Sequence, residues 1–369
     1  MSATQRRVRA AVLHGVGEPL GVEEIELAET GPHQVRVRLA ASGVCHSDLS
    51  VQQGRLPFMF PTVLGHEGAG VVEEVGSAVT RVSPGDHVVL GWNPPCRRCF
   101  YCLAGQPMLC DIGLAEALGS PYGTAAGVPL IRGLGVGAFA EATLVPEGSA
   151  VPVDPKVPLE QVALVGCALA TGVGAVANIA RVTLGSSVVV VGCGGVGLCV
   201  VQGARLAGAS QVIAVDRVAA KLALAESMGA TASVDSSAGD ALDQVRALTE
   251  GRGADFSFEV VGRPETIRLA YSAARRGGTT VVVGAGSDAD VVPFNAMELF
   301  ADAKALFGCV YGSTDPDRDF PMLVDLVARG DLDASSLVTR RIGLDDVNEA
   351  FVAMEAGEVV RSLIVFGGH

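Results

Sequence analysis

The sequence predicts an α/β fold: a doubly wound parallel sheet joined to a second domain that is mostly antiparallel β. Three observations predict it. From about Val162 to Val310, apolar strand-like runs alternate with helical stretches, which is the mark of βαβ units. From Val8 to about Pro152, short β-rich runs alternate with Gly/Pro turns such as Ser83-Pro84-Gly85-Asp86, an antiparallel pattern. The 369 residues, 49% hydrophobic and 18% charged, suffice for two cores at about 150 residues per domain and exclude intrinsic disorder.

In chain order, the N-terminus carries Arg6, Arg7 and Arg9 with no apolar stretch behind them, so it reads as neither a secretory signal nor a transit peptide, and the cytoplasm is the default location. Val35–Leu39, Gly70–Val75, His87–Leu90 and Glu141–Val145 are the β runs of the first part. Val162–Ala180 and Val182–Ala204 carry no charge and are long enough to span a bilayer. Their Gly, Ala and Thr content and the break at Gly192, Gly194, Gly195 and Gly197 fit buried parallel strands better. Strands at Ser187–Val191, Gln211–Val215, Phe256–Val260 and Thr280–Val283 then alternate with helices at Gly195–Ala207, Ala219–Met228 and Pro264–Ala274. The tail after Tyr311 shows one more helical run, Leu344–Glu355, and a strand, Ser362–Phe366.

Forty Asp+Glu against 27 Lys+Arg leave a net charge of −13. Such a surface, without a basic patch, disfavours nucleic acid and anionic membranes as partners.

Nine cysteines without an export signal, and clustered rather than spread, point to metal rather than disulfides. Cys96, Cys99, Cys102 and Cys110 lie in a loop crowded with Pro94, Pro95, Arg97, Arg98 and Gly105, which excludes a regular helix or central strand. Four thiolates so spaced fill the tetrahedron of a structural zinc and leave no open corner for chemistry. Free surface thiols and an iron–sulfur cluster are the alternatives.

Gly192-Cys193-Gly194-Gly195-Val196-Gly197 is a G-x-G-x-x-G, a pattern that 47 glycines produce by chance about once. Its context gives it meaning. It follows the strand Val188–Val191, opens a helix and precedes a strand ending in Asp216, about 20 residues on, as a Rossmann dinucleotide site requires. Asp216 favours NAD, since a carboxylate repels the 2′-phosphate of NADP, although the adjacent Arg217 partly offsets that repulsion. A second metal set is also present. Cys45, His66 and Cys167 offer a thiolate, an imidazole and a thiolate from three separate regions, leaving a fourth position for substrate. Each taken singly reads as an ordinary core residue; their surroundings, Gly43-Val44-Cys45-His46-Ser47-Asp48, Gly65-His66-Glu67-Gly68 and Gly166-Cys167 followed by Thr171-Gly172, raise them.

These stretches, the four-cysteine loop and the Gly192–Asp216 fingerprint together resemble the zinc-dependent alcohol dehydrogenases of the medium-chain dehydrogenase/reductase family, in the same order from Val8 to Phe366. The resemblance implies a split GroES-like catalytic domain, residues 1–168 and 311–369, flanking a Rossmann NAD-binding domain, residues 169–310, with a cleft where nicotinamide meets zinc. It implies two zinc ions per chain. Cys45, His66 and Cys167 become the catalytic ligands, with Glu67 behind the metal and Asp48 orienting His66. Ser47 matches the hydroxyl that contacts the alcohol and starts the proton relay; Thr171 and Val196 match positions that hold the nicotinamide. His46 and Arg361 fall at pyrophosphate contacts and Lys221 at an adenosine-ribose contact, although Arg361 and Lys221 also read as plain surface charges.

The chemistry implied is the reversible oxidation of primary alcohols to aldehydes: zinc acts as a Lewis acid on the alcohol oxygen, and hydride passes from the zinc-bound alkoxide to NAD⁺. Many relatives end the relay in a histidine where this sequence has Ser50, so the proton must pass through Ser50 to water or use His46. Trp92, with Leu134 and Gly133 facing it, reads as a pocket wall suited to flat or elongated alcohols, aromatic ones included, or else as plain core. The glycine-rich Leu118–Gly137 reads as an entrance cover, and Cys193, Cys199 and Cys309 as small core residues. The runner-up is a mycothiol- or glutathione-type formaldehyde dehydrogenase, whose charged substrate needs a basic anchor, with Arg132 the candidate. A non-catalytic, zinc-stabilised nucleotide-binding protein is the reading from a different class, and an enoyl or quinone reductase ranks last. The resemblance also implies a homodimer, ahead of a tetramer, joined through the sheet edge at Ala305–Val310.

Overall fold

The computed structural model describes residues 7–367; Arg6 and the ends of the expected terminal segments lie outside them. The chain divides into two compact units, Met1–Cys167 with Asp315–His369, and Ala168–Thr314.

In the first unit, Arg7–Leu13, Gly21–Leu27, Gly123–Ala125, Val128–Arg132 and Thr62–Val63 close into a small barrel. Beside it lies a seven-stranded sheet whose spine is Gln34–Val44. That strand pairs antiparallel with Glu67–Val75, Ala142–Pro146 and Arg361–Val365. Alternating valines and leucines face one core, among them Val35, Val37, Leu39, Val72, Val88 and Leu90. Gly70 is forced by packing, since a Cβ there would sit 2.1 Å from the Arg38 carbonyl oxygen, where the pairing shifts register.

In the second unit six strands run parallel: Ala232–Asp235, Gln211–Asp216, Ser187–Val191, Ala254–Glu259, Ala274–Val282 and Ala305–Gly308, in that spatial order. The order reverses beside Ser187–Val191, so a crevice opens at the carboxyl ends of that strand and Ala254–Glu259. Val189, Val191, Ile213 and Val215 are fully buried, as uninterrupted apolar strands in a covered parallel sheet should be.

Several expectations need correction. Val162–Ala180 is helical rather than stranded: Leu159–Val162 and a 3₁₀ turn Ala163–Gly166 belong to the first unit, Ala168–Gly174 and the π-helical Ala175–Ala180 to the second. An apolar run without periodicity is compatible with a buried helix or a buried strand, and here small residues decide for close helix packing. A Cβ on Gly172 would lie 2.4 Å from Cys199 Cβ on helix Gly195–Leu206. Among the described residues no single helix is long and apolar enough to cross a membrane; Leu159–Gly166 and Ala168–Ala180 pass that test only when taken together. The tail holds a second helix, Pro316–Ala328, and a strand, Val338–Ile342, beyond those expected. It rejoins the first unit at Asp315 rather than 311, because Thr314 donates to Ala170 O and Gly312 packs on Ala170 and Thr171. The four-cysteine loop contains one α-helical turn, Phe100–Leu103, and one 3₁₀ turn, Pro107–Leu109.

Candidate active site

Strand register builds the first metal-suited cluster. Gly43 pairs with Glu67 and Ser362 with Val44, so the chain ends at Cys45, His66 and Arg361 emerge side by side. Gly43 is needed for this: a Cβ there would meet Glu67 Oε2 at 2.1 Å and Leu164 at 2.6 Å. The turn Ala163–Gly166 packs onto the same strand ends, with Gly166 against the Leu90 carbonyl, and delivers Cys167. One donor atom from each of Cys45, His66, Glu67 and Cys167 falls within 4.8 Å of the others.

Cys45 also caps helix His46–Gln52, whose third residue is Asp48. The buried Asp48 carboxylate accepts from the Cys45 amide at 3.2 Å, the Gly65 amide at 2.9 Å and His66 Nδ1 at 3.2 Å. His66 Nδ1 being so engaged, Nε2 is the nitrogen turned to the cluster's donors. Burial opposes a charge on His66, but Asp48 and Cys45 outweigh it and hold its pKa well above the ordinary imidazole value. A hydrogen bond with Cys167 draws the Cys45 thiol well below its usual range and raises that of Cys167. Burial pushes Glu67 up to about 7 against the pull of Arg361. This donor set fits zinc: two sulfurs and one imidazole nitrogen, buried, with the imidazole already oriented by a carboxylate.

Arg361 is not a surface charge. Its side chain is 3% exposed, lies 3.2 Å from Glu67 Oε1 and donates to Val44 O at 3.1 Å. Ser47 Oγ is 3.8 Å from Cys45 Sγ; Ser47 and Ser50 are half-buried and His46 is exposed. Trp92 is partly buried against the core of Val35 and Leu90, and its carbonyl oxygen approaches the Gly133–Gly135 turn so closely that a Cβ on Gly135 would sit 2.3 Å away. Gly133 is likewise compelled, by Val63 O, and Leu134 adopts a left-handed φ of 46°.

Arg132 overturns its expected role as an entrance anchor. It is fully buried, donating to the carbonyls of Ala117, Leu144 and Pro121 and to the Ser120 hydroxyl, and it lies over the Tyr122 ring. Its charge is spent on carbonyls at the end of helix Asp111–Gly119 and on strand Ala142–Pro146, and burial lowers its pKa to about 10. The Leu118–Gly137 segment is likewise largely barrel strand and turn rather than a loose cover.

The second cluster is local. Cys96, Cys99, Cys102 and Cys110 bring their sulfurs within 4.8 Å of one another, and amides point at three of them. Cys96 Sγ accepts from Cys99 N, Cys99 Sγ from Cys102 N, and Cys110 Sγ from the amides of Cys96 and Gly113. Burial works against ionisation, yet amides of Arg98 and Cys99 bring Cys96 down to about 7; burial pushes Cys102 up to about 12. Gly113 permits the fold of the loop, since its Cβ would collide with Pro94 O.

In the second unit the three spaced glycines have three different reasons. Gly192 has φ 99°; Gly197 cannot carry a Cβ, which would lie 1.8 Å from Gly192 O; Gly194 faces open space, room for a phosphate at the helix N-terminus. Asp216 is tied down by the amides of Cys193 and Val218, with Arg217 exposed next to it and Lys221 half-buried on the following helix. Gly172 packs against the Val196 carbonyl, which brings Thr171 beside Val196. Cys193 and Cys199 are core; Cys309 is half-buried, its thiol raised by burial to about 11.

Residues 31–155 match the alcohol dehydrogenase GroES-like domain, and 195–329 the zinc-binding dehydrogenase family. The alcohol dehydrogenase class-3 of Cereibacter sphaeroides is 36% identical, over 98% of this chain and 100% of its own length. The chain belongs to the zinc-binding medium-chain dehydrogenase/reductase family. Within this family of oxidoreductases, the S-(hydroxymethyl)glutathione dehydrogenase of Synechocystis sp. is 38% identical, over 96% of this chain and 99% of its own. The crystal structure of benzyl alcohol dehydrogenase from Acinetobacter calcoaceticus superposes with a TM-score of 0.91 at 32% identity, covering 98% of this chain and 99% of that one. A GroES-like catalytic domain and a Rossmann cofactor domain are therefore the two parts of this dehydrogenase.

Proposed function

We propose that this dehydrogenase reversibly oxidises primary alcohols, aromatic ones included, to aldehydes with NAD, on a zinc ion held by Cys45, His66 and Cys167, a second zinc being structural in the four-cysteine loop. The observation that carries the reading is the buried meeting of two thiols and one imidazole from three distant segments, with Asp48 already on His66 Nδ1. When bound, zinc supplies Lewis acidity toward the alcohol oxygen, and NAD takes up the hydride.

The chain's own groups do the rest. Asp48 fixes the His66 tautomer and keeps Nε2 aimed at the donors. Arg361 compensates Glu67, so that a carboxylate can sit beside two thiolates in a dry site. The Ser47 hydroxyl accepts the substrate's proton and hands it on; Ser50 is one helical turn further and His46 stands exposed at the start of the same helix. A serine hydroxyl cannot act as a base near neutral pH, so the relay ends in water or on His46. Gly192, Gly194, Gly195, Val196 and Gly197 cradle the pyrophosphate, Thr171 and Val196 wall the nicotinamide, and Asp216 with Lys221 takes the adenosine ribose. The pinned carboxylate of Asp216 supports NAD over NADP. We also propose a homodimer, since the edge strand Ala305–Gly308 and the segment around it expose Phe300, Leu306, Phe307 and Val310.

The thiol-adduct reading draws support from the names of the relatives, but the one basic anchor it had, Arg132, is buried and committed. The experiment is a substrate panel read by NADH absorbance, with and without added low-molecular-weight thiols, beside metal analysis. Benzyl and linear primary alcohols should reduce NAD without any thiol, on a protein holding two zinc ions per chain. Turnover of formaldehyde only with a thiol would replace this reading with the adduct-oxidising one, and one zinc with no turnover would leave a nucleotide-binding protein.

A further inference from the structure

Glu259 ends the strand Ala254–Glu259 in the crevice where strand order reverses, and its side chain is wholly buried. A buried carboxylate is costly unless donors surround it. Here one oxygen takes three: Oε1 accepts from the Val261 amide at 2.9 Å, the Gly262 amide at 2.8 Å and the Thr266 hydroxyl at 2.6 Å, while Oε2 has no hydrogen-bond partner among the described residues. These bonds set the turn that follows the strand. That turn in turn covers the glycine fingerprint: Val260 N donates to Val191 O at 2.8 Å, and a Cβ on Gly192 would lie 2.6 Å from Val261 Cγ2. Val261 is nevertheless 43% exposed, so it borders the crevice rather than the core. Behind it the packing is equally tight, because a Cβ on Gly262 would meet Ala285 O at 2.5 Å and one on Gly284 would meet Gly262 N at 2.1 Å. The turns after three neighbouring strands thus interlock, and the carboxylate of Glu259 fixes the middle one.

We propose that Glu259 is a positioning residue for the dinucleotide: acting through the Val260–Gly262 turn, and helped by Thr266, it holds the wall against which Gly192 and the cofactor are placed. The inference rests on the NAD-binding reading above. It assigns Glu259 no proton transfer and no contact with substrate. Its effect belongs to the cofactor, not to the alcohol or to zinc.

The test measures NADH dissociation by fluorescence, KM for NAD, KM for alcohol, kcat at saturating NAD, and zinc content in Glu259→Ala, Glu259→Gln, Thr266→Val and Thr266→Ser. Removing the carboxylate strands two amides, so Glu259→Ala should raise the NADH dissociation constant and the KM for NAD by about tenfold or more, with KM for alcohol and zinc content unmoved. Glu259→Gln keeps an oxygen at the three-donor position and should restore most of that affinity. Thr266→Val loses one bond of three and should weaken NADH by about threefold, with Thr266→Ser restoring it. If Glu259→Ala does not fold, the contrast between Thr266→Val and Thr266→Ser still decides. NADH affinity at the wild-type level in Thr266→Val and in Glu259→Ala, with only the melting temperature lowered, would overturn the proposal as a purely structural role. A wild-type protein that binds no NADH would instead overturn the NAD reading on which it stands.

Discussion

The two metal-suited clusters bring four donor residues to the same separation by opposite routes. Cys96, Cys99, Cys102 and Cys110 come from one short loop, all sulfur, steadied by amides of that same loop and half-buried for the most part. Cys45, His66, Glu67 and Cys167 come from separate segments, mix sulfur, nitrogen and oxygen, and are backed by two further buried ionic groups, Asp48 and Arg361. Closeness in sequence suffices for a closed all-thiolate cage, because a few backbone turns can present every donor. A mixed site cannot be made so locally. Its carboxylates and guanidinium would each be costly to bury alone, and only paired strands hold them in mutual compensation.

That contrast can be broken most decisively by removing one cysteine from each cluster. Cys45→Ser should cut kcat by at least about a thousandfold, several kcal/mol of lost Lewis-acid assistance, and lower zinc content by one ion while NADH binding persists. Cys99→Ser should also lose one zinc, but its main effect should be a fall in melting temperature on the order of 10 °C, with the remaining folded enzyme still turning over. Should Cys99→Ser abolish turnover without moving the melting temperature, the division into a chemical and a structural cluster is wrong.

A smaller effect sharpens the role of the groups behind the mixed site. Asp48→Asn keeps one acceptor oxygen, enough for the Gly65 amide or the Cys45 amide but not both, since these bond to different carboxylate oxygens, and it loses the charge facing His66. Metal affinity, measured by competition with a chelator, should weaken roughly 10- to 100-fold. The four-cysteine loop should keep its metal in the same titration.

The smallest effect concerns how the loop is anchored. Arg97 within it pairs with Asp315 at 2.8 Å and also with Asp317, at the start of helix Pro316–Ala328. The hydrogen bond from Arg97 holds the Asp315 carboxyl below its ordinary range despite burial. Asparagine caps a helix as well as aspartate does, so Asp315→Asn isolates the charge. A pair this exposed is worth roughly 0.5–1 kcal/mol. Because the folded carboxyl titrates lower than the unfolded one, that stability is complete above the ordinary carboxylate range and is lost as pH falls through the lowered value. Wild type and Asp315→Asn should therefore differ in melting temperature at neutral pH and converge in acid; a gap that widened on acidification would contradict the pairing.

Much of the architecture could be read from the chain. His87–Leu90 and Ser187–Val191 stand where alternation and apolar runs put them, and the Gly192 turn opens its helix after the strand as the motif requires. The helical run ending at Ala180 was not legible, since a buried helix without a polar face has no period to betray it. Nor was Pro316–Ala328, whose internal Pro321 masks the pattern. Charged residues were the least legible. Arg132 and Arg361 both look like surface cations in sequence, yet one closes a helix end and the other faces Glu67. Glu259 carried no sequence signal beyond its place at the end of an apolar strand.

Local chemistry set down along the chain was enough to specify the dinucleotide turn and the cysteine loop, because each works over a span that the backbone itself can shape. The company kept by Cys45, His66, Glu67, Cys167 and Arg361 was settled by strand pairing across hundreds of residues, with Gly43 leaving the space. Coulomb and desolvation energies depend on distances through space, and those exist only once the chain has folded.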